Sequence, residues 1–183
     1  MPPLAFLVLA AQVGATVPGT APSRGRYSPQ CSGVRVTASE STVPPTNMTF
    51  SSRDTLDLML RPRVRHVLKG DHLIELKVFT PGGFLYQSMT VPFVGGAVQA
   101  PDEQHAAAPQ LRAVPGYPRP LKVQRLVPVR SSGRLTEYEV RARLPVAGTS
   151  ITQSSIYGTW SVQAFLDGQA EPCGPPTRFT IRD

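Results

Sequence analysis

Short segments of strictly alternating apolar and polar residues are the feature that most constrains the fold of this chain. The clearest segment covers residues 137–146, where the apolar positions are Tyr138, Val140, Ala142, Leu144 and Val146. The positions between them hold Glu137, Glu139, Arg141 and Arg143. A helix would spread these charges around its circumference, whereas a strand gathers them on one face. The segment therefore predicts a half-buried strand.

The same alternation recurs along the chain and predicts further strands. The residues expected to face inwards are Val34 and Val36; Leu56, Leu58 and Leu60; Ile74, Leu76 and Val78; Trp160, Val162, Ala164 and Leu166; and Phe179 and Ile181. Additional strands are expected over residues 64–68, 84–93 and 121–129. The turn Pro81-Gly82-Gly83 separates two of them, because proline fixes φ and glycine accepts positive φ. About eight or nine strands with no convincing helix predict an all-β, antiparallel sandwich.

Proline and glycine, at 20 and 15 of 183 residues, concentrate between these segments. The densest stretch is residues 95–120, and loops of this length without structure are either functional or disordered. We interpret it as a mobile loop within a single domain over residues 31–183. A linker between two domains is the alternative.

The N-terminal residues predict export. Leu4 to Ala11 form an apolar run that is far shorter than the roughly 20 residues needed to span a bilayer. Small residues follow, so we expect a signal peptide over residues 1–21, cleaved after Ala15 or Ala21, and then a flexible tail over 22–30. No Lys or Arg precedes the run, so either the signal is weak or the true start lies upstream of Met1. A buried N-terminal strand is the other interpretation. The expected location is secreted or periplasmic.

Export changes the interpretation of the two cysteines, Cys31 and Cys173. Two cysteines in an exported chain most often pair, so we expect a disulfide that joins the two ends of the domain. Two unpaired thiols are the alternative. Neither cysteine has the histidine that a catalytic thiol needs nearby.

Two segments carry a resemblance to a known family. The first is a strand followed by Thr-Pro-Gly-Gly and an aromatic strand over Thr80 to Tyr86, and the second is Tyr157 to Gly168, with Gly158, Trp160, Asp167 and Gly168 as its specific residues. Together they resemble bacterial immunoglobulin-like domains, particularly macroglobulin-type sandwiches, over about residues 55–183. The resemblance implies an immunoglobulin-like antiparallel β-sandwich of about seven to nine strands. It also implies binding or scaffolding more often than catalysis.

No catalytic residue is predicted, because the chain lacks the usual nucleophile, metalloprotease and phosphate-binding motifs. His66 and His72 flank a turn and are weak candidates for a metal site, since imidazole beside a carboxylate suits zinc. Two exposed histidines at a turn are the more ordinary interpretation. No cofactor is expected.

The formal net charge of +7 raises the question of an anionic partner. The densest basic cluster is Arg61, Arg63, Arg65 and Lys69, a candidate polyanion site in which the alternate arginines share a strand face. Pro62 is expected to interrupt that strand, and Glu137 and Glu139 are expected to lie in a solvated charged row. Arginine greatly outnumbers lysine, which coding bias in a GC-rich genome would also produce.

The sequence therefore predicts an exported, non-catalytic binding or envelope accessory module rather than an enzyme, with a protein or cell-envelope component as partner. A carbohydrate- or polyanion-binding module that uses the Arg61, Arg63 and Arg65 face is the alternative. A hydrolase built on a sandwich scaffold is the third interpretation.

Overall fold

The computed structural model describes residues 30–39, 41, 43–65, 70–95, 110–132 and 135–183. These residues form thirteen strands and one helix of a single turn, so the all-β prediction is confirmed. Nine of the strands have four or more residues. The expected signal peptide, most of the expected tail, and residues 96–109 of the expected loop lie outside the described residues.

The elements follow one another in chain order. They are β1 (Cys31–Ala38), β2 (Thr49–Ser51), β3 (Asp57–Arg65), β4 (Gly70–Phe79), β5 (Leu85–Gly95), β6 (Leu111–Arg112), β7 (Leu121–Lys122), β8 (Gln124–Arg125), β9 (Val127–Ser132), β10 (Leu135–Glu139), β11 (Ala142–Pro145), α1 (Ser150–Gln153), β12 (Gly158–Leu166) and β13 (Thr177–Arg182).

Two sheets make up most of the fold. The five-stranded sheet has the order β1-β3-β10-β9, and β11 also pairs with β3. The six-stranded sheet has the order β2-β13-β12-β4-β5-β8, and β6 and β7 form a separate two-stranded sheet. Among the described strands, only β13 with β2 and β5 with β8 pair in parallel. The two larger sheets bury a common hydrophobic core, as expected for a sandwich.

The core is built from the inward faces that the alternation predicts. Trp160, Val162, Ala164 and Leu166 of β12 are all buried, as are Ile74, Leu76 and Val78 of β4. The Trp160 ring packs edge-on against Tyr86, and its Nε1 donates to the carbonyl of Ile156 at 3.2 Å. The indole is thus buried with its polar atom satisfied, which buried tryptophans require.

The strand predicted over residues 137–146 is divided into β10 and β11. Both pair with β3, β10 along Arg63–Arg65 and β11 along Asp57–Leu60. Pro62 lies between these two pairings, and its carbonyl accepts from Val140 at 3.1 Å. Proline has no N–H to donate towards the same neighbour, so the ladder opens opposite it. Pro62 therefore interrupts the partner of β3, and the prediction that it interrupts β3 itself is wrong.

Leu56 also departs from the sequence pattern. The residue precedes β3 and its side chain is 61% exposed, so the prediction that it faces the core is wrong. The carbonyl of Leu56 accepts from the backbone N–H groups of Val146 and Ala147, which places the residue in the connection at the end of the strand rather than in the alternating part.

The helix α1 was not predicted. Thr149 caps it by accepting from the Ile151 N–H at 3.2 Å, and Ile151 is buried.

The segment predicted as one strand over residues 121–129 is divided into three short strands, each in a different sheet. Its pieces β7, β8 and β9 pair with β6, β5 and β10 respectively. Leu126, between β8 and β9, is buried in the core where the chain passes from one large sheet to the other. Residues 110–120, expected within an unstructured loop, include β6 and the buried Val114. The Tyr117 hydroxyl accepts from the Thr90 N–H at 2.9 Å and so occupies part of the edge of β5.

The disulfide predicted between Cys31 and Cys173 is confirmed, with 5.1 Å between the two Cα atoms. The backbone N–H of Cys31 also donates to the carbonyl of Cys173 at 2.7 Å. Gly174 follows closely, and a Cβ at that position would lie 2.7 Å from the Cys31 carbonyl oxygen, so only glycine fits there without a shift. Because disulfides form and persist in oxidising environments, the bond indicates an extracytoplasmic protein.

Candidate ligand-binding cleft

The outer face of the five-stranded sheet carries a set of paired charges. Arg61, Arg63 and Arg65 all lie on this face of β3, as their spacing predicts. The register of β10 places Glu139 opposite Arg63 and Glu137 opposite Arg65. Further along β3, Arg143 of β11 approaches Asp57 with 3.6 Å between Nε and Oδ2. The face therefore alternates positive and negative side chains between neighbouring strands, which stabilises strand pairing.

Arg61 and Glu139 form the buried part of this set. Their side chains are 11% and 3% exposed, and Arg61 Nη1 lies 3.4 Å from Glu139 Oε1. Glu139 also lies 3.5 Å from Nε of Arg141. The prediction of a solvated row at Glu139 is wrong, because the long arginine side chains of β3 and β10–β11 cover the carboxylate from both sides. Arg61 therefore forms a buried ion pair with Glu139.

Arg63 and Arg65 share a single carboxylate and remain accessible. Glu137 lies 3.7 Å from Arg63 Nη1 and 3.5 Å from Arg65 Nε. The two arginine side chains are 29% and 45% exposed. Two cations on one anion leave this group with a net positive charge.

An open cleft of about 640 Å³ lies beside this group. Its walls come from β1, from β3 and β10, and from the connections that precede β2 and β13; the lining includes Ser32, Arg35, Pro44, Arg63, Arg65, Glu137, Pro175 and Thr177. The volume falls within the range of small-molecule sites. Among the described residues that line the cleft, Glu137 is the only one with a carboxyl side chain.

A bulge in β1 shapes one side of the cleft. The pairing of β1 with β3 shifts register between Cys31 and Val34, and Gly33 has φ of 110°. This conformation favours glycine, and such bulges redirect neighbouring side chains. The hydroxyl of Thr177 accepts from the Val34 N–H at 3.2 Å and fixes the start of β13 against the bulge. In the part of the chain that is described, the buried Ser32 Oγ and Arg63 Nε have no hydrogen-bond partner.

Of the other described sequence candidates, neither Arg61 nor His72 lines this cleft. His66 and Lys69 lie outside the described residues. His72 pairs with Asp167 at 2.8 Å and stacks on Phe93 with 5.5 Å between ring centroids. Asp167 also accepts from the Leu73 N–H, so this aspartate of the Asp-Gly turn links β12 to β4. Within the described ranges, no group of three or more His, Cys, Asp or Glu side chains is placed to hold a metal ion.

Several cleft residues were not predicted from the sequence. Arg35, Pro44, Pro175 and Thr177 come from distant parts of the chain and meet because the disulfide region brings β1 beside the start of β13. The register of the sheet, rather than a local motif, determines which of these side chains become neighbours. In the described part of the chain, no helix is long and apolar enough to cross a bilayer.

The fold and cleft define an all-β protein with one disulfide, and comparison with known proteins gives only distant similarity. No protein-family model and no curated protein matches the chain. Among solved structures, a bacterial adhesin from Mobiluncus mulieris with disulfide, isopeptide and ester cross-links has a TM-score of 0.41 and 11% identity, covering 82% of this chain and 57% of that one. A second crystal form of the adhesin has a TM-score of 0.36 and 12% identity, over 81% of this chain and 48% of that one. A protein assigned as a β-galactosidase from Bacteroides fragilis has a TM-score of 0.32 and 10% identity, covering 85% of this chain and 16% of that one.

Proposed function

We propose that the protein is an exported, non-catalytic binding or envelope accessory module whose ligand contacts the cleft beside Arg63 and Arg65. The proposal includes a signal peptide over residues 1–21 and a single immunoglobulin-like sandwich over 31–183. The observation that carries it is the cleft itself, since a concave site with convergent polar groups is the usual form of a ligand site. The disulfide supports the proposed export, because such bonds persist outside the cytoplasm.

Two features of the cleft support binding rather than catalysis. The guanidinium groups of Arg63 and Arg65 are planar hydrogen-bond donors that bind and orient anions. Glu137 lies within 4 Å of both, which suits an acceptor for ligand hydroxyl groups. These groups can therefore bind a ligand without catalysing a reaction of it.

A polyanion-binding role through the basic face remains the second candidate. Arg61 contributes little to it, because it is buried against Glu139. Arg63 and Arg65 are the better candidates for polyanion binding, because their side chains are more exposed. In this version a polymer would cross the sheet near the cleft, and its binding would weaken steeply with added salt.

Binding of the disulfide-intact protein to an array of envelope polysaccharides, acidic and neutral glycans and surface proteins tests the proposal. We expect at least one ligand whose binding is lost in Arg65→Glu. Arg182→Glu is the matched control, because it makes the same charge change at an exposed residue outside the cleft. Binding that both variants retain equally would contradict a role for the cleft. Salt titration of the same ligand separates a compact site from a polyanion surface.

A further inference from the structure

We propose that the cleft binds a hydroxylated monocarboxylate, of the kind that an acidic sugar residue presents; this inference rests on the proposed function. Arg63 and Arg65 would hold the carboxylate, and Glu137 would accept hydrogen bonds from the neighbouring hydroxyl groups.

The charge of the triad Arg63, Arg65 and Glu137 favours a ligand with at least one negative charge. Arg63 and Arg65 contribute two positive charges, and Glu137 compensates one of them. A single carboxylate therefore neutralises the group. Inorganic phosphate could also contact the two arginines, but it has no ring to contact the rest of the cleft.

The geometry of the group leaves donors for that carboxylate. The two contacts with Glu137, at 3.7 and 3.5 Å, are longer than the 2.7–3.2 Å of an N–H···O hydrogen bond. Each guanidinium offers five N–H donors in a planar fork that matches a carboxylate. The Arg65 side chain is 45% exposed, so a ligand in the cleft can reach it. The contacts within this triad are therefore long, and N–H donors of both arginines are left to bind a ligand carboxylate.

The remaining lining suits the ring of a sugar rather than a flat or fully apolar molecule. Glu137 supplies an acceptor, and hydroxyl groups of sugars are donors to carboxylates. Pro44 and Pro175 line other parts of the cleft and offer apolar surface to the carbon atoms of a ring. The volume of about 640 Å³ accommodates a short oligosaccharide rather than a single small ion.

Titration of the disulfide-intact protein with trigalacturonate, monitored through the backbone amide signals of Gly33 and Arg65, tests the inference. We expect saturable shifts with trigalacturonate and much weaker ones with neutral galactotriose and with inorganic phosphate. Arg65→Gln should weaken trigalacturonate binding at least about tenfold, the loss of one charge-assisted hydrogen bond. Arg65→Lys keeps the charge but not the fork, and we expect an intermediate affinity.

Arg182→Gln is the control and should bind as the wild type does. The inference is overturned if trigalacturonate does not bind, if galactotriose or phosphate binds as tightly, or if Arg65→Gln retains wild-type affinity. Failure of this inference can be distinguished from failure of the proposed function. An Arg65-dependent ligand of another class on the array would leave the cleft as a binding site and remove only the acidic sugar.

Discussion

The side-chain amide of Gln124 takes the place of a neighbouring strand for Arg141. Its Oε1 accepts from the Arg141 N–H at 2.8 Å, and its Nε2 donates to the Arg141 carbonyl. Arg141 lies at the gap between β10 and β11, where the ladder with β3 is open. One glutamine thus satisfies both backbone groups that the gap leaves without a strand partner, and it joins β8 of the six-stranded sheet to the edge of the gap.

We predict that Gln124→Leu lowers the free energy of unfolding by about 1–3 kcal/mol, because two backbone groups then exchange a protein partner for water. Gln124→Glu should also destabilise, since a carboxylate accepts from the Arg141 N–H but faces the Arg141 carbonyl with a second acceptor. Urea denaturation measures both changes. Gln169→Glu makes the same charge change at an exposed turn and should be neutral. Equal effects at the two positions would contradict the bridging role of Gln124.

Glu139→Gln is expected to destabilise the fold by about 3 kcal/mol, because it leaves the buried Arg61 charge uncompensated. The double change Arg61→Met with Glu139→Gln should recover a large part of the loss, since it removes the cation as well. Thermal and urea unfolding of both variants measure the difference. Glu171→Gln, at an exposed position, is the control. A double variant less stable than Glu139→Gln would show that the arginine stem, rather than the charge pair, holds this part of the sheet.

Replacement of both cysteines, Cys31→Ser with Cys173→Ser, should lower the free energy of unfolding by about 2–5 kcal/mol. The bond closes a loop with a sequence separation of 142, so its loss releases most of the chain in the unfolded state. Unfolding of the wild type with and without a thiol reductant provides an independent measurement. The serine variant and the reduced wild type should agree, and a variant as stable as the oxidised protein would refute the effect.

The exposed ion pair between Arg53 and Asp183 should lower the pKa of Asp183, and added salt should reduce this shift. Arg53 donates from Nε at 3.1 Å and from Nη2 at 2.5 Å, and these hydrogen bonds lower the pKa of Asp183 below the ordinary 3.8. A lowered folded pKa means that the pair stabilises above the unfolded pKa and loses this effect as the pH falls through the folded one. Carboxyl carbon NMR should give a midpoint below 3.8 that returns towards it in Arg53→Gln. A midpoint that Arg53→Gln or high salt leaves unchanged would exclude the pair as its cause.

The inward faces of the strands could be predicted because alternation depends on the local sequence alone. Trp160 to Leu166 and Ile74 to Val78 illustrate this, since each apolar residue in the pattern is buried. Leu56 continued the same pattern but lies beyond the end of the strand, because the pattern does not mark where pairing stops. The division of residues 137–146 depends on Pro62, which lies far away in the sequence and meets the segment only through strand pairing.

The candidate site could be predicted only in part for the same reason. The arginines of β3 were found by their spacing, but the burial of Arg61 depends on which strand places Glu139 beside it. Pro44, Pro175 and Thr177 carry no local signal, and the cleft exists because the chain folds back near the disulfide. Cys31 and Cys173 were the one long-range relationship that the sequence alone predicted, since two cysteines allow a single pairing within the chain.

The disulfide closes a covalent ring that leaves out β13. This strand follows Cys173 in the chain, yet it lies between β12 and β2, which both belong to the ring. Oxidation alone therefore cannot complete the six-stranded sheet. A ring that has formed its bond but has not docked β13 exposes the edges of β12 and β2, and such edges pair readily with strands of other molecules. Docking of β13, rather than formation of the bond, is what covers the edges of β12 and β2.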